Sequence, residues 1–149
     1  MPEGARWQDV DEQTLRSARG CYERAFCIAG RPGPLPLTDY SDEALSLSPR
    51  ARLLMLDGEV IAFARVAWKD REAGLGEVRN LGRDPDVTLR GLGALALVEA
   101  LRSLGAMGAR RVVLTVASGN VRAIALYRSF GFTATERRVV LRKHLPPRR

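Results

Sequence analysis

The chain has 149 residues, 46% of them hydrophobic and 28% charged, with a formal net charge of +7. This length and apolar fraction suit one domain, residues 1–149, with a single buried core, and they argue against disorder. No apolar run approaches the ~20 residues of a membrane helix. The N-terminal segment MPEGARWQDVDEQT mixes both charges around no apolar centre, so a secretory signal is not expected and a cytoplasmic setting is.

Cys21 and Cys27 are the only cysteines and His144 the only histidine. That is too poor a set for the four N/S ligands of a zinc site, so no metal is expected. A Ser-His-Asp or Cys-His hydrolase would have to recruit His144 from the tail. Of the 24 basic residues only Lys69 and Lys143 are lysines. The arginines are spread along the chain, with doublets at Arg110-Arg111, Arg137-Arg138 and Arg148-Arg149 and no aromatic platform between them. A nucleic-acid surface concentrates its charge, so nucleic acid is not the expected partner. The excess positive charge still favours an anionic small molecule.

Residues 1–48 read as helical and irregular. Asp9 to Ile28 carries Leu15, Ala18, Tyr22, Ala25 and Phe26 at helical spacing. Gly30 to Pro36 is a Pro/Gly loop, and Asp39 to Leu47 a short helix ending before Pro49. From residue 50 to 143 the pattern is that of a core. Arg52 to Leu56 and Val60 to Trp68 flank Asp57-Gly58, the signature of a tight hairpin. Glu77 to Arg83 is a third strand. Gly91 to Leu104 is a helix with Glu99, Arg102 and Ser103 on one narrow polar face, the rest (Leu92, Leu95, Ala96, Val98, Leu101) being apolar enough for burial against a sheet. Arg111 to Ala117 is a strand, and Asn120 to Phe130 a helix capped by Asn120 and stopped at Gly131. Phe132 to Thr135 and Arg138 to Arg142 read as closing strands. The order predicts an α+β fold, a mixed sheet flanked by helices.

Two segments carry chemistry. Arg90-Gly91-Leu92-Gly93 stands where an extended segment meets the buried helix. Its glycines permit close backbone approach, and the amides of the first helical turn lack partners, which with the helix dipole suits a phosphate or a pyrophosphate. A glycine-rich helix start serves structure as readily as ligand. The segment is neither a P-loop nor a Rossmann fingerprint. The second segment is Asn120 to Phe132. Asn120 and Tyr127, seven positions apart, fall within ~20° of two full turns and so on nearly one helix face, ~10 Å apart along the axis. The phenol can donate a proton and the amide can orient a polar chain. Asn120 is also a good N-cap in its own right, and Tyr127 suits core packing as well as chemistry.

Together, a strand, an Arg-Gly-x-Gly helix start, a second strand and N-x-x-A-x-x-L-Y-x-x-x-G-F resemble the GNAT superfamily of acyl-CoA N-acyltransferases. Arg90-Gly91-Leu92-Gly93 matches the first four positions of that family's pyrophosphate motif. Asn120 to Phe132 matches its next motif at Ala123, Ile124, Leu126, Tyr127, Gly131 and Phe132, and the likeness runs from about Arg52 to Leu141. The resemblance implies a splayed, mostly antiparallel sheet. A slot between the strands Glu77–Arg83 and Arg111–Ala117 would take the pantetheine arm of acetyl-CoA along Leu81, Gly82 and Arg83. The amides of Arg90, Gly91, Leu92, Gly93, Ala94 and Leu95 would hold the diphosphate, aided by the Arg90 guanidinium. Asn120 would touch the pantetheine, and Tyr127 would protonate the departing thiolate. The reaction implied is direct acetyl transfer from acetyl-CoA to a primary amine, of a small molecule or of a peptide. The deprotonating base is Glu77, beside the slot, or a water relay; a strand-end surface charge is the plainer role for Glu77. The acceptor side falls to residues 1–48.

The chain departs from the family at three places. Leu95 replaces a small residue at the end of the phosphate motif, and the link from Pro85 to Arg90 is about two residues longer. The family's first strand is not evident, since Ala5 to Val10 is short and poor in β-formers. The expectation is that this strand is missing, supplied by the partner in a homodimer, or that the chain is one half of a tandem acetyltransferase. The alternative function is a non-catalytic acyl-CoA-binding module.

Overall fold

The computed structural model describes residues 1–26 and 50–135. They fall into two compact units that divide between Thr115 and Val116.

The first unit holds a five-stranded sheet in the order β1-β2-β3-β4-β5. The strands are β1 (Arg6–Asp9), β2 (Arg50–Leu56), β3 (Glu59–Asp70), β4 (Leu75–Arg83) and β5 (Arg111–Leu114). The helices of this unit are α1 (Leu15–Phe26) and α2 (Leu92–Met107). Neighbouring strands are antiparallel except β4 and β5, which are parallel and joined through α2, as a parallel pair requires a long crossover. The β2–β3 hairpin turns where the sequence places it. Asp57 and Gly58 have φ of 51° and 80°, the two positive angles of a turn whose twist matches its strands.

Among the described residues, each face of the sheet is covered by one helix. Ala18, Cys21 and Tyr22 of α1 pack on Ala51, Leu53, Met55, Val60 and Phe63, while Ala100 and Leu104 of α2 pack on Ala64, Val66 and Val78. Side chains alternate across a strand, so Phe63 and Arg65 look toward α1 and Ala62, Ala64 and Val66 toward α2.

Five expectations change. A first strand exists: β1 pairs with β2 from Arg6↔Met55 to Asp9↔Arg52, and the Arg52 guanidinium donates to the Asp9 carboxylate at 2.8 Å. Pairing and this ion pair outweigh the weak β-propensity of the segment, so no partner subunit has to supply the strand. Consequently α1 starts at Leu15 rather than Asp9. On α2 the polar face divides: Glu99 and Ser103 are buried and Arg102 is exposed, because Arg52 reaches over from β2 to within 2.9 Å of the Glu99 carboxylate. Val98, which the pattern assigns to the core, is instead 48% exposed. Finally, β5 ends at Leu114 rather than Ala117.

In the second unit α3 (Val121–Ser129) is the described helix. Phe132 to Thr135 do not form a strand. Gly131 turns left-handed at φ 91°, the Phe132 amide donates back to the Tyr127 carbonyl at 3.1 Å, and the segment closes the helix instead. The expected loop Gly30–Pro36, the helix Asp39–Leu47 and the strand Arg138–Arg142 lie outside the described residues.

Candidate functional site

Strand β4 is built in two halves. Leu75 to Val78 is paired on both sides, with β3 and, from Leu75↔Arg111 to Val78↔Leu114, with β5. Beyond Val78 no strand among the described residues pairs with that edge, so Leu81, Gly82 and Arg83 keep β3 as their only strand neighbour. The change coincides with an irregularity in the β3 pairing. Val78 faces Val66 and Asn80 faces Arg65, which leaves Arg79 as an extra residue. A bulge adds local twist and turns the following residues, and here it turns them where β5 stops. Gly82 lies opposite Phe63, and a Cβ on it would come within 2.4 Å of the Phe63 ring.

Glu77 sits in the doubly paired half, opposite Ala67 and Val113. Its carboxylate is half-buried and lies 3.5 Å from Lys69 Nζ and 3.2 Å from Arg79 Nε. Two cations therefore share it.

The link from β4 to α2 is held by Asp84. Its amide donates to the Ile61 carbonyl at 2.8 Å. Its buried carboxylate accepts from Arg24 Nε and Nη2 at 3.1 and 2.7 Å and from the Asp86 amide at 2.9 Å. Burial works against the ionised form, but the Arg24 hydrogen bonds, the Asp86 amide and the charges of Arg24 and Arg83 outweigh it and hold the Asp84 carboxyl below the usual range. Arg83 Nη2 donates to the Val87 carbonyl at 2.5 Å. The Asp84-Pro85-Asp86 turn is legible in the sequence; its anchor Arg24, on α1, is not. Beneath it, burial pushes the Cys21 thiol up to about 12, so this cysteine is an inert part of the core.

The link delivers the chain to an open helix start. Gly91, the N-cap of α2, is left-handed at φ 80° and offers no side chain. The first intrahelical bond there is donated by Leu95, to the Gly91 carbonyl at 3.0 Å. The amides of Leu92, Gly93 and Ala94 therefore precede any intrahelical acceptor. No acidic residue occupies the first turn, and Arg90 is exposed beside it. Leu95 packs with Leu54, Ile61, Ala62 and Leu92, so its bulk goes into the core. A depression of about 510 Å³ opens alongside, lined by Leu89, Arg90, Gly91, Ala94, Leu95 and Val98 with Met1 and Pro2. Open amides, the positive end of the helix dipole and an exposed guanidinium fit a diphosphate.

In the second unit, Asn120 caps α3 by accepting from the Ala123 amide at 3.3 Å. Tyr127 lies two turns on, half-buried, its ring 6.0 Å from that of Phe132. Burial raises the phenol above its ordinary value, so it is protonated at neutral pH. Among the described residues no three His, Cys, Asp or Glu side chains are grouped to hold a metal, and no helix is long and apolar enough to cross a membrane.

A mixed sheet with helices on both faces, a strand released by its neighbour halfway and an uncapped helix after it define an acyl-CoA N-acyltransferase fold. The chain belongs to the acetyltransferase (GNAT) family, which it matches over residues 30–132. It is 36% identical over 128 residues to a mycothiol acetyltransferase of Clavibacter michiganensis, an alignment covering 83% of this chain and 39% of that protein. A mycothiol acetyltransferase of Beutenbergia cavernae is 43% identical over 77 residues, 52% of this chain and 26% of the relative. The chain thus spans well under half the length of these relatives. Among solved structures, N-acetyltransferase PaiA of Thermoplasma acidophilum in complex with coenzyme A superposes with a TM-score of 0.75 at 17% identity, over 90% of this chain and 92% of the other. The ribosomal-protein-S18-alanine N-acetyltransferase of Escherichia coli gives 0.69 at 24% identity, over 89% and 79%.

Proposed function

We propose that this chain is a cytoplasmic N-acetyltransferase that moves the acetyl group of acetyl-CoA to a primary amine by direct attack. The observation carrying this reading is the release of β4 after Val78, followed through a tethered turn by the uncapped start of α2. The residues fit the donor: the main-chain amides from Arg90 to Ala94 hold the diphosphate, with the Arg90 guanidinium beside them, the Leu95 amide being taken by the Gly91 carbonyl instead, and Leu81 to Arg83 offer an unpaired backbone edge to the pantetheine. Asn120, whose carbonyl oxygen is committed to its own helix, contributes its amide nitrogen to the same arm.

The donor supplies an activated acyl group with thiolate as leaving group. The amine nitrogen bonds to the acyl carbon, the carbon–sulfur bond breaks, the sulfur takes a proton and the nitrogen loses one. We assign the donated proton to Tyr127, whose phenol burial keeps protonated, and the accepted one to Glu77, directly or through water. The amine of a mycothiol-related compound is a first acceptor to test, because the curated relatives are named mycothiol acetyltransferases.

Tyr127→Phe is the direct test. Turnover should fall by about 10²-fold or more, the usual worth of a positioned acid, while acetyl-CoA affinity measured by calorimetry stays the same. Unchanged turnover would remove Tyr127 from the mechanism. A second reading has its own support: since the relatives are more than twice as long as the alignments, the chain would correspond to an acyl-CoA-binding half of a tandem enzyme. Acetyl-CoA binding without thiol release across a panel of amines would select it.

A further inference from the structure

Resting on the acetyltransferase reading, the geometry points to Asn80 as a residue that selects the acceptor. Asn80 is the first residue past the bulge, where β4 loses its β5 neighbour. If Arg79 were paired in plain alternation after Val78, Asn80 would turn toward α2. Because Arg79 bulges out, Asn80 lies opposite Arg65 and shares the α1 face with Phe63, whose ring meets that of Tyr22 at 5.8 Å. Gly82, also on that face, carries no side chain and lies under the Phe63 ring.

Asn80 is held in one orientation. Arg65, only 8% exposed, donates from Nη1 to Asn80 Oδ1 at 3.3 Å. A guanidinium has donors alone, so the amide must present its oxygen to Arg65 and its NH₂ group elsewhere. That NH₂ has no hydrogen bond among the described residues, and Asn80 is half-buried. A fixed donor next to the released edge of β4 matches an acceptor carrying an oxygen near its amine, either the carbonyl of an α-amino acyl group or a vicinal hydroxyl. A plain alkylamine has nothing to offer it. Arg65 is then a positioning residue, acting through Asn80.

The test compares glycinamide, ethanolamine and propylamine as acceptors for the full-length chain with acetyl-CoA. The wild type should favour at least one oxygen-bearing amine by kcat/KM, and the better of the two distinguishes a carbonyl source from a hydroxyl source. Asn80→Asp keeps the side-chain size and an oxygen for Arg65 but removes the donor. It should lower the preference over propylamine by roughly 3- to 10-fold, the worth of one neutral hydrogen bond, through acceptor KM and with acetyl-CoA affinity unchanged. Asn80→Ala should lower it equally, and agreement between the two separates donor loss from the new charge. No preference in the wild type, or a preference intact in Asn80→Asp, overturns the inference while leaving the acetyltransferase reading standing. Failure to bind acetyl-CoA, or binding without turnover of any amine, overturns that reading and this inference with it.

Discussion

The helices of this protein start in different ways. At α1, Asp11 and Thr14 satisfy each other: the Thr14 amide donates to the Asp11 carboxylate at 2.8 Å and the Asp11 amide to the Thr14 hydroxyl at 3.0 Å. At α3, Asn120 closes the first turn. At α2 nothing is supplied, and a left-handed glycine leaves the amides bare. A helix start that serves only the fold is stabilised by its own side chains, about 1 kcal/mol for a good cap. The start that forgoes this is the one whose amides we assign to the diphosphate of the donor.

The sharpest way to break this contrast is to alter the bare start. Gly91→Val places a branched side chain at φ 80°, where an L-residue is strained by roughly 1–2 kcal/mol. Relaxing that strain moves the amides, and calorimetry should show acetyl-CoA bound at least about 10-fold more weakly. Affinity equal to wild type would detach the diphosphate from this turn. The complementary change is Thr14→Ala. Losing that cap should cost about 1 kcal/mol of stability in urea unfolding and leave acetyl-CoA affinity untouched. A weakened affinity there would mean that the two starts do not divide the labour. The smallest effect concerns the tether between β4 and α2. The Asp84 carboxyl titrates below its unfolded value, so the stability it provides is full above the ordinary carboxylate range and drains as pH falls through its folded value. Asp84→Asn should therefore unfold less steeply than wild type below about pH 4, the ordinary range for Asp. Identical acid profiles would remove Asp84 from the tether.

What could be read from the chain beforehand was whatever a short stretch encodes by itself. Asp57-Gly58 specifies its hairpin because both residues tolerate positive φ. Asn120 and Gly131 bracket α3 for equally local reasons, and Arg90-Gly91-Leu92-Gly93 announces a helix start that its own side chains cannot close. Features that depend on a distant partner stayed hidden. Segment Arg6–Asp9 becomes a strand only beside β2. Glu99 is buried only because Arg52, 47 residues away, meets it, and Asp84 becomes a tether only through Arg24, 60 residues away. The bulge at Arg79 is likewise invisible to a period-2 pattern, since it exists only in the pairing with β3. The same division runs through the proposed site: the backbone assigned to the donor is marked by glycines in sequence, whereas the face assigned to the acceptor is set by register.

That register gives one position unusual leverage. Drawing Arg79 into regular pairing with β3 would restore plain alternation along β4 and rotate Asn80 and Gly82 to the opposite surface of the sheet, exchanging them with Leu81 and Arg83, whereas deleting Arg79 would leave them on the face they occupy. On the proposed reading, changes that smooth out the bulge would re-tool which amines the scaffold accepts, while the turn assigned to the donor, beginning at Arg90, seven residues downstream of Arg83, keeps its own sequence.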